Sequence, residues 1–110
     1  VIVNPLAPAW LAQPADANAL APQVWSQNSV RAASGELQIA GIGASAIVEQ
    51  FGTPVYVVDE ADVRARARTA HDSFAREFAR VGSAAKVYYA GKAFLSTEVA
   101  RWVTEAGLNI

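Results

Sequence analysis

Two lysines, Lys86 and Lys92, stand at either end of one short apolar stretch, residues 85–90. Lys92 lies in the run Tyr88-Tyr89-Ala90-Gly91-Lys92-Ala93. A primary amine just past a strand, between small residues, can condense with an aldehyde to form a Schiff base. Attack requires the neutral amine, and burial or a nearby cation lowers the lysine pKa and supplies that form. Alanine and glycine at 90 and 91 leave room for a flat group to lie close to the backbone. Lys86 comes at the beginning of the same stretch, on the opposite rim, and is assigned to solvent. Taken alone, a lysine after a strand is ordinarily a surface charge.

The other candidate groups carry less. Gly41-Ile42-Gly43-Ala44 has two of the glycines of a phosphate-binding loop but lacks the third, and a tight turn accounts for it. Arg64, Arg66, Arg68, Arg76 and Arg80 cluster within one segment, but Asp72 and Glu77 are interleaved, which describes a solvated helix face. His71 is the single histidine; it falls mid-helix on a polar face and is assigned to water rather than to catalysis. With no cysteine in the chain, disulfides and thiolate metal sites are excluded from these residues, and one histidine cannot build a histidine-rich metal centre. No metal site is expected.

The elements that position Lys92 follow from hydrophobic period and punctuation. Residues 36–40 alternate polar and apolar, as a short strand does, and Gly41 and Gly43 make a turn. Ser45 caps a brief helix over 46–51, closed by Gly52, and Thr53-Pro54 cannot continue it. Residues 55–58 form a β-favouring run, read as a buried strand. Asp59 is an N-cap, with Asp62 three residues on, for a helix over about 60–80. Its buried stripe is Val63, Ala67, Ala70, Phe74 and Phe78. Gly82 ends it, residues 85–90 make the next strand, and a third helix runs from 96 or 97 to 105. Val99, Trp102, Val103 and Ala106 form the inner face of that helix. Gly107 stops it and Leu108-Asn109-Ile110 opens another strand. Strands alternating with helices predict a parallel α/β sheet, with the strand at Leu108 beside the one ending at Ala90. Residues 1–35 hold four of the five prolines and no clear period. They read as an extended arm with a turn of helix near 15–20, pinned by Trp10 and Trp25.

Composition sets the class. The 110 residues are 53% hydrophobic and 17% charged, a core-forming balance rather than a disordered one. The formal net charge of −1 offers no basic face for nucleic acid. No apolar run approaches the roughly 18 residues of a membrane span, and the first residues do not read as a signal peptide. A cytoplasmic, non-membrane protein is expected.

With the lysine run in place, a second motif bears on it: Phe51-Gly52-Thr53-Pro54-Val55-Tyr56-Val57-Val58-Asp59. Together with Tyr89-Ala90-Gly91-Lys92-Ala93, it resembles the start of a fold-type III amino-acid decarboxylase dependent on pyridoxal phosphate (PLP). The continuation Lys92-Ala93-Phe94-Leu95 and Glu98-Val99-Ala100-Arg101-Trp102 is most similar to the diaminopimelate decarboxylase branch. The resemblance covers roughly residues 36–110. It implies that Lys92 carries PLP as a Schiff base, that Tyr89 and Ala90 line the cofactor, and that an amino acid loses its α-carboxylate. For Tyr89, ordinary strand packing is the competing assignment. The implied fold is the start of a PLP-binding (β/α)8 barrel, a fold that takes about 250 residues, so that the chain is a fragment. The implied division is an arm over 1–35, a segment over 36–58 associated with a second, β-rich domain, and the first barrel units over 59–110. The whole protein would be a homodimer acting on a small-molecule amino acid, here diaminopimelate on the way to lysine. The fragment alone would be inactive. Ornithine, arginine or carboxynorspermidine decarboxylases, a more distant racemase, a non-catalytic homologue and a free-standing small α/β binding module are the alternatives.

Overall fold

A computed structural model describes Pro8, Asp16 and residues 18–110. Trp10, and part of the turn expected near 15–20, lie outside the described residues. The first regular unit is a three-stranded antiparallel sheet, β1 (Ser29–Arg31), β2 (Leu37–Ile39) and β3 (Ile42–Gly43), in the order β1-β2-β3. Ile39 faces Ile42 across a two-residue loop, Ala40 and Gly41, both at positive φ (51° and 81°). That is the backbone a right-twisted hairpin demands of so short a connection. β2 lies where polar–apolar alternation placed it. β1 falls inside the stretch read as an extended arm and corrects that reading: its three residues pair with β2 from Ser29↔Ile39 to Arg31↔Leu37.

Helix α1 (Ala44–Phe51) follows directly. Its cap is not local. Gly43 has no side chain to offer, and the carboxylate of Glu36, just ahead of β2, accepts the Ser45 N–H at 3.1 Å. Hydrogen bonds from the Ser45 hydroxyl and backbone hold the Glu36 carboxyl below its usual range. A negative charge thus already sits on the positive end of α1. A phosphate would meet repulsion there, so the two glycines serve the turn and not an anion.

Helix α2 (Glu60–Ala79) begins as expected: Asp59 accepts from the Asp62 N–H at 3.2 Å. Helix α3 (Thr97–Glu105) is capped by Ser96, whose hydroxyl accepts from the Val99 N–H at 3.2 Å. The two helices pack on each other, and α1 packs on the sheet. The main core lies between α2, α3 and the stretch after it: Ala67, Val99, Val103, Ala106 and Leu108, with Val63, Val87, Tyr89 and Trp102 against them. Val103, at 1% exposure, is the most enclosed.

Two expectations about this core are corrected. Phe74 and Phe78 were placed in the buried stripe of α2, yet they are 52% and 41% exposed. The reason is length. Twenty residues of α2 extend about 30 Å, while nine residues of α3 extend about 13 Å, so α3 covers only the first half of the stripe. The second concerns residues 55–58, read as a buried strand. They belong to no strand and are exposed, with Tyr56 at 95%, and no described strand pairs with them. Branched and aromatic side chains favour that backbone, but a strand also needs a neighbour.

The parallel pairing expected between the stretch ending at Ala90 and the one starting at Leu108 is present in its shortest form. Tyr88 and Asn109 make a parallel bridge. The Asn109 N–H donates to Val87 O at 2.9 Å and Asn109 O accepts from the Tyr89 N–H at 2.8 Å. The regular sheet is therefore antiparallel, and parallel order is confined to this contact among the described residues.

Candidate functional site

Lys92 sits on a turn that leaves the carboxyl end of the bridged stretch. The Gly91 N–H donates to Tyr89 O and the Ala93 N–H to Ala90 O, both at 3.0 Å. The Tyr89 hydroxyl donates to Phe94 O at 2.6 Å and closes the loop from outside. Gly91 has a close neighbour: a Cβ there would stand 3.2 Å from Leu95 Cδ2. Beyond the turn, Ser96 starts α3, so the lysine lies between a strand end and a capped helix.

Lys92 follows the carboxyl end of a parallel contact, where α/β folds gather ligands, and Lys86 lies at the other end. Burial is not as expected. Lys92 is exposed, and no hydrogen bond or ion pair among the described residues engages its ammonium.

The three residues predicted at the site divide between two faces. Val87 and Tyr89 lean on the helical core, while Lys86, Tyr88 and Ala90 are exposed. This is ordinary strand alternation. Ala90 thus shares its face with Tyr88, whereas the Tyr89 ring is used in packing and its hydroxyl in the turn. Tyr88 was not singled out from the sequence. Counting by twos back from Ala90 would have found it.

Four of the five clustered arginines are occupied by acids, and Arg68 makes no ion pair among the described residues. Arg64 reaches Glu60 and Glu105, each at 2.7 Å, and its guanidinium lies over the Trp102 ring at 5.9 Å. Arg66 meets Asp62 at 2.7 Å, Arg76 and Arg80 meet Glu77, and Arg101 meets Glu98. Partnered in this way they form a charged face and not a phosphate cradle, as the interleaved acids indicated. His71 is less simple than its assignment to water. Its Nδ1 is 2.9 Å from Asp72 Oδ1, and its ring lies against Gly107, where a Cβ would come within 3.0 Å of Cδ2.

A buried polar cluster at the start of α2 was legible only as a helix cap. Asp59 accepts from Asn28 Nδ2 at 2.9 Å; Asp62 accepts from the Gln27 N–H at 3.1 Å and from Arg66 Nε at 2.7 Å. Arg66 also donates to Trp25 O at 3.1 Å. Burial alone pushes the Asp59 carboxyl up, but hydrogen bonds from Asn28, the Asp62 N–H, Ser26 and the Ala61 N–H together hold it below its usual range. These bonds tie residues 25–28, just ahead of β1, to the helix that leads to the lysine stretch. No spacing rule connects positions some 30 residues apart.

The geometry leaves Lys92 exposed just past a parallel contact, and comparison with known proteins bears on the chain that carries it. Over 89 residues, 81% of this chain, the sequence is 46% identical to the diaminopimelate decarboxylase of Mycobacterium tuberculosis strain H37Rv, of which that stretch is 18%. Other relatives that it matches carry the same name. The Corynebacterium efficiens enzyme is 44% identical over 93 residues, 84% of this chain and 19% of the relative. The Bacillus subtilis strain 168 enzyme is 41% identical over 76 residues, 69% of this chain and 16% of the relative. The chain therefore spans about a fifth of the length of the diaminopimelate decarboxylases it matches. No protein-family model matches it. Among the described residues, no helix is long and apolar enough to cross a membrane.

Proposed function

We propose that this chain is the lysine-bearing part of a PLP-dependent diaminopimelate decarboxylase, with Lys92 as the residue that holds the cofactor covalently. The observation that carries the reading is the placement of Lys92 past a parallel contact, in a chain homologous to those enzymes. The residues present fit the group. Lys92 offers a primary amine that pairs with no acid among the described residues, and Ala90 and Ala93 place only methyl groups beside it. When bound, PLP would supply an electron sink that stabilises the α-carbon as carbon dioxide leaves.

The chain's own contribution is orientation. The bridge to Asn109 and the turn bonds at Gly91 and Ala93 fix where the amine starts. Ala90 and Tyr88 form the face beside it. On this reading, the groups that would enclose the Lys92 amine belong to the whole protein, in keeping with relatives about five times as long as this chain. By the same reading, residues 59–110 are the first units of a (β/α)8 barrel and residues 36–58 associate with a β-rich domain. The parallel register of Tyr88 and Asn109 supports the first assignment, and the antiparallel β1–β3 sheet supports the second. A small-molecule amino-acid substrate, a homodimer and a cytoplasmic setting accompany this reading for the whole protein.

The test uses the full gene product that carries this chain. Addition of PLP is expected to give a visible absorption band that Lys92→Ala abolishes and Lys86→Ala leaves intact. Diaminopimelate should then yield lysine and carbon dioxide. A band that survives Lys92→Ala would remove Lys92 from the role. A band without lysine formation would move the substrate to another amino acid, such as ornithine or arginine.

A further inference from the structure

Tyr89 makes an unusual number of attachments for one residue. Its ring packs against the Val99–Val103–Leu108 core. Its backbone N–H donates to Asn109 O at 2.8 Å, and its carbonyl accepts from the Gly91 N–H at 3.0 Å. Its hydroxyl then reaches past Lys92 to Phe94 O, at 2.6 Å. Among the described residues, no other side chain hydrogen-bonds to the backbone between 90 and 95. The turn is otherwise held by two backbone bonds and by the Leu95 side chain over Gly91.

A lysine stem is long and rotates freely, so the backbone that launches it decides where its amine can dwell. If residues 91–95 swing, the amine samples a wide arc and is seldom in a reactive pose. A misplacement of about 1 Å can cost two orders of magnitude in rate. The Tyr89 hydroxyl links the rigid core to the far side of the turn and removes that freedom.

We propose that Tyr89 is a positioning residue for Lys92: its hydrogen bond to the Phe94 carbonyl closes the turn and sets the direction in which the lysine leaves the strand end. The inference rests on Lys92 being the cofactor lysine and goes beyond it. It gives Tyr89 a role through the lysine rather than a contact with the cofactor.

Tyr89→Phe keeps the ring in the core and removes only the hydroxyl. Two measurements on the full gene product test it. In cofactor-free protein, amide hydrogen exchange across 90–95 should accelerate roughly five-fold, the effect of losing one net hydrogen bond, while the amides of α3 exchange as before. On adding PLP, the visible band should form about five-fold more slowly than in the wild type. Unchanged exchange at 90–95, or equal acceleration in α3, overturns the clamp. Faster exchange with an unchanged rate of band formation makes the bond merely structural and overturns the positioning role. Failure of the wild type to form any Lys92-dependent band refutes the cofactor reading itself, and this inference with it. That failure is read before any variant is made.

Discussion

Gly107 is where the helical core, the single histidine and the parallel contact meet, and its replacement by alanine tests all three. The residue ends α3 at φ +92°. Its N–H bonds Thr104 O and the next N–H, that of Leu108, bonds Val103 O, both at 3.0 Å. This is the paired closure that places a left-handed residue just past a helix, with Leu108 and Val103 in apolar contact. An alanine would incur about 1–2 kcal/mol for the left-handed backbone. Its Cβ would also come within 3.0 Å of His71 Cδ2 and 3.1 Å of Nε2. Moving that ring off its rotamer costs about 0.5–1.5 kcal/mol. Lower entropy of the unfolded chain returns about 0.4–1 kcal/mol. The net expectation is a loss of about 1–2 kcal/mol, measured by equilibrium urea unfolding. In a His71→Ala background the ring contribution vanishes, and the loss should shrink by about half. The Asn109 amide, two residues on and bonded to Val87 O, should exchange faster in Gly107→Ala. A variant as stable as the wild type would refute the helix ending, and equal losses in both backgrounds would refute the histidine contact.

Three further outcomes follow from the same contacts. Val103→Ala removes two methyl groups from the most enclosed side chain and should destabilise by about 2 kcal/mol in urea unfolding, the transfer cost plus a small cavity. Asp62→Ala removes the acceptor for Gln27 and Arg66. It should cost about 1.5–3 kcal/mol and speed amide exchange at residues 27–31 more than in α3. Asp59 has a carboxyl pKa lowered by folding, so its contribution is present above the ordinary aspartate value near ~4 and fades as pH falls through the lower folded value. Asp59→Asn should therefore reduce stability at neutral pH and flatten its decline below about pH 4, as followed by acid titration of unfolding.

Local rules recover the elements whose causes are local. Asp59 caps the helix it was expected to cap and Ser96 caps α3 in the same way, because each needs only a carboxylate or hydroxyl three residues before an orphan N–H. Gly107 stops α3 for the same kind of reason. The Lys92 run and the upstream Phe51–Asp59 motif were enough to identify the decarboxylase relatives. Where causes lie far apart in the chain, those rules fall short. Glu36 caps α1 from just ahead of β2, Asn28 and Gln27 reach Asp59 and Asp62 across some 30 residues, and β1 exists only because β2 lies beside it.

The sequence by itself determined that Lys92 stands between a β-favouring stretch and a helix start, because backbone propensity and helix capping are properties of neighbours in the chain. Tertiary structure alone decided which face each residue of that strand presents, that Tyr89 bridges the turn around Lys92, and that half of the α2 apolar stripe and residues 55–58 remain open. Burial and pairing depend on what lies opposite, and an apolar side chain specifies its need for a cover without specifying whether one is there.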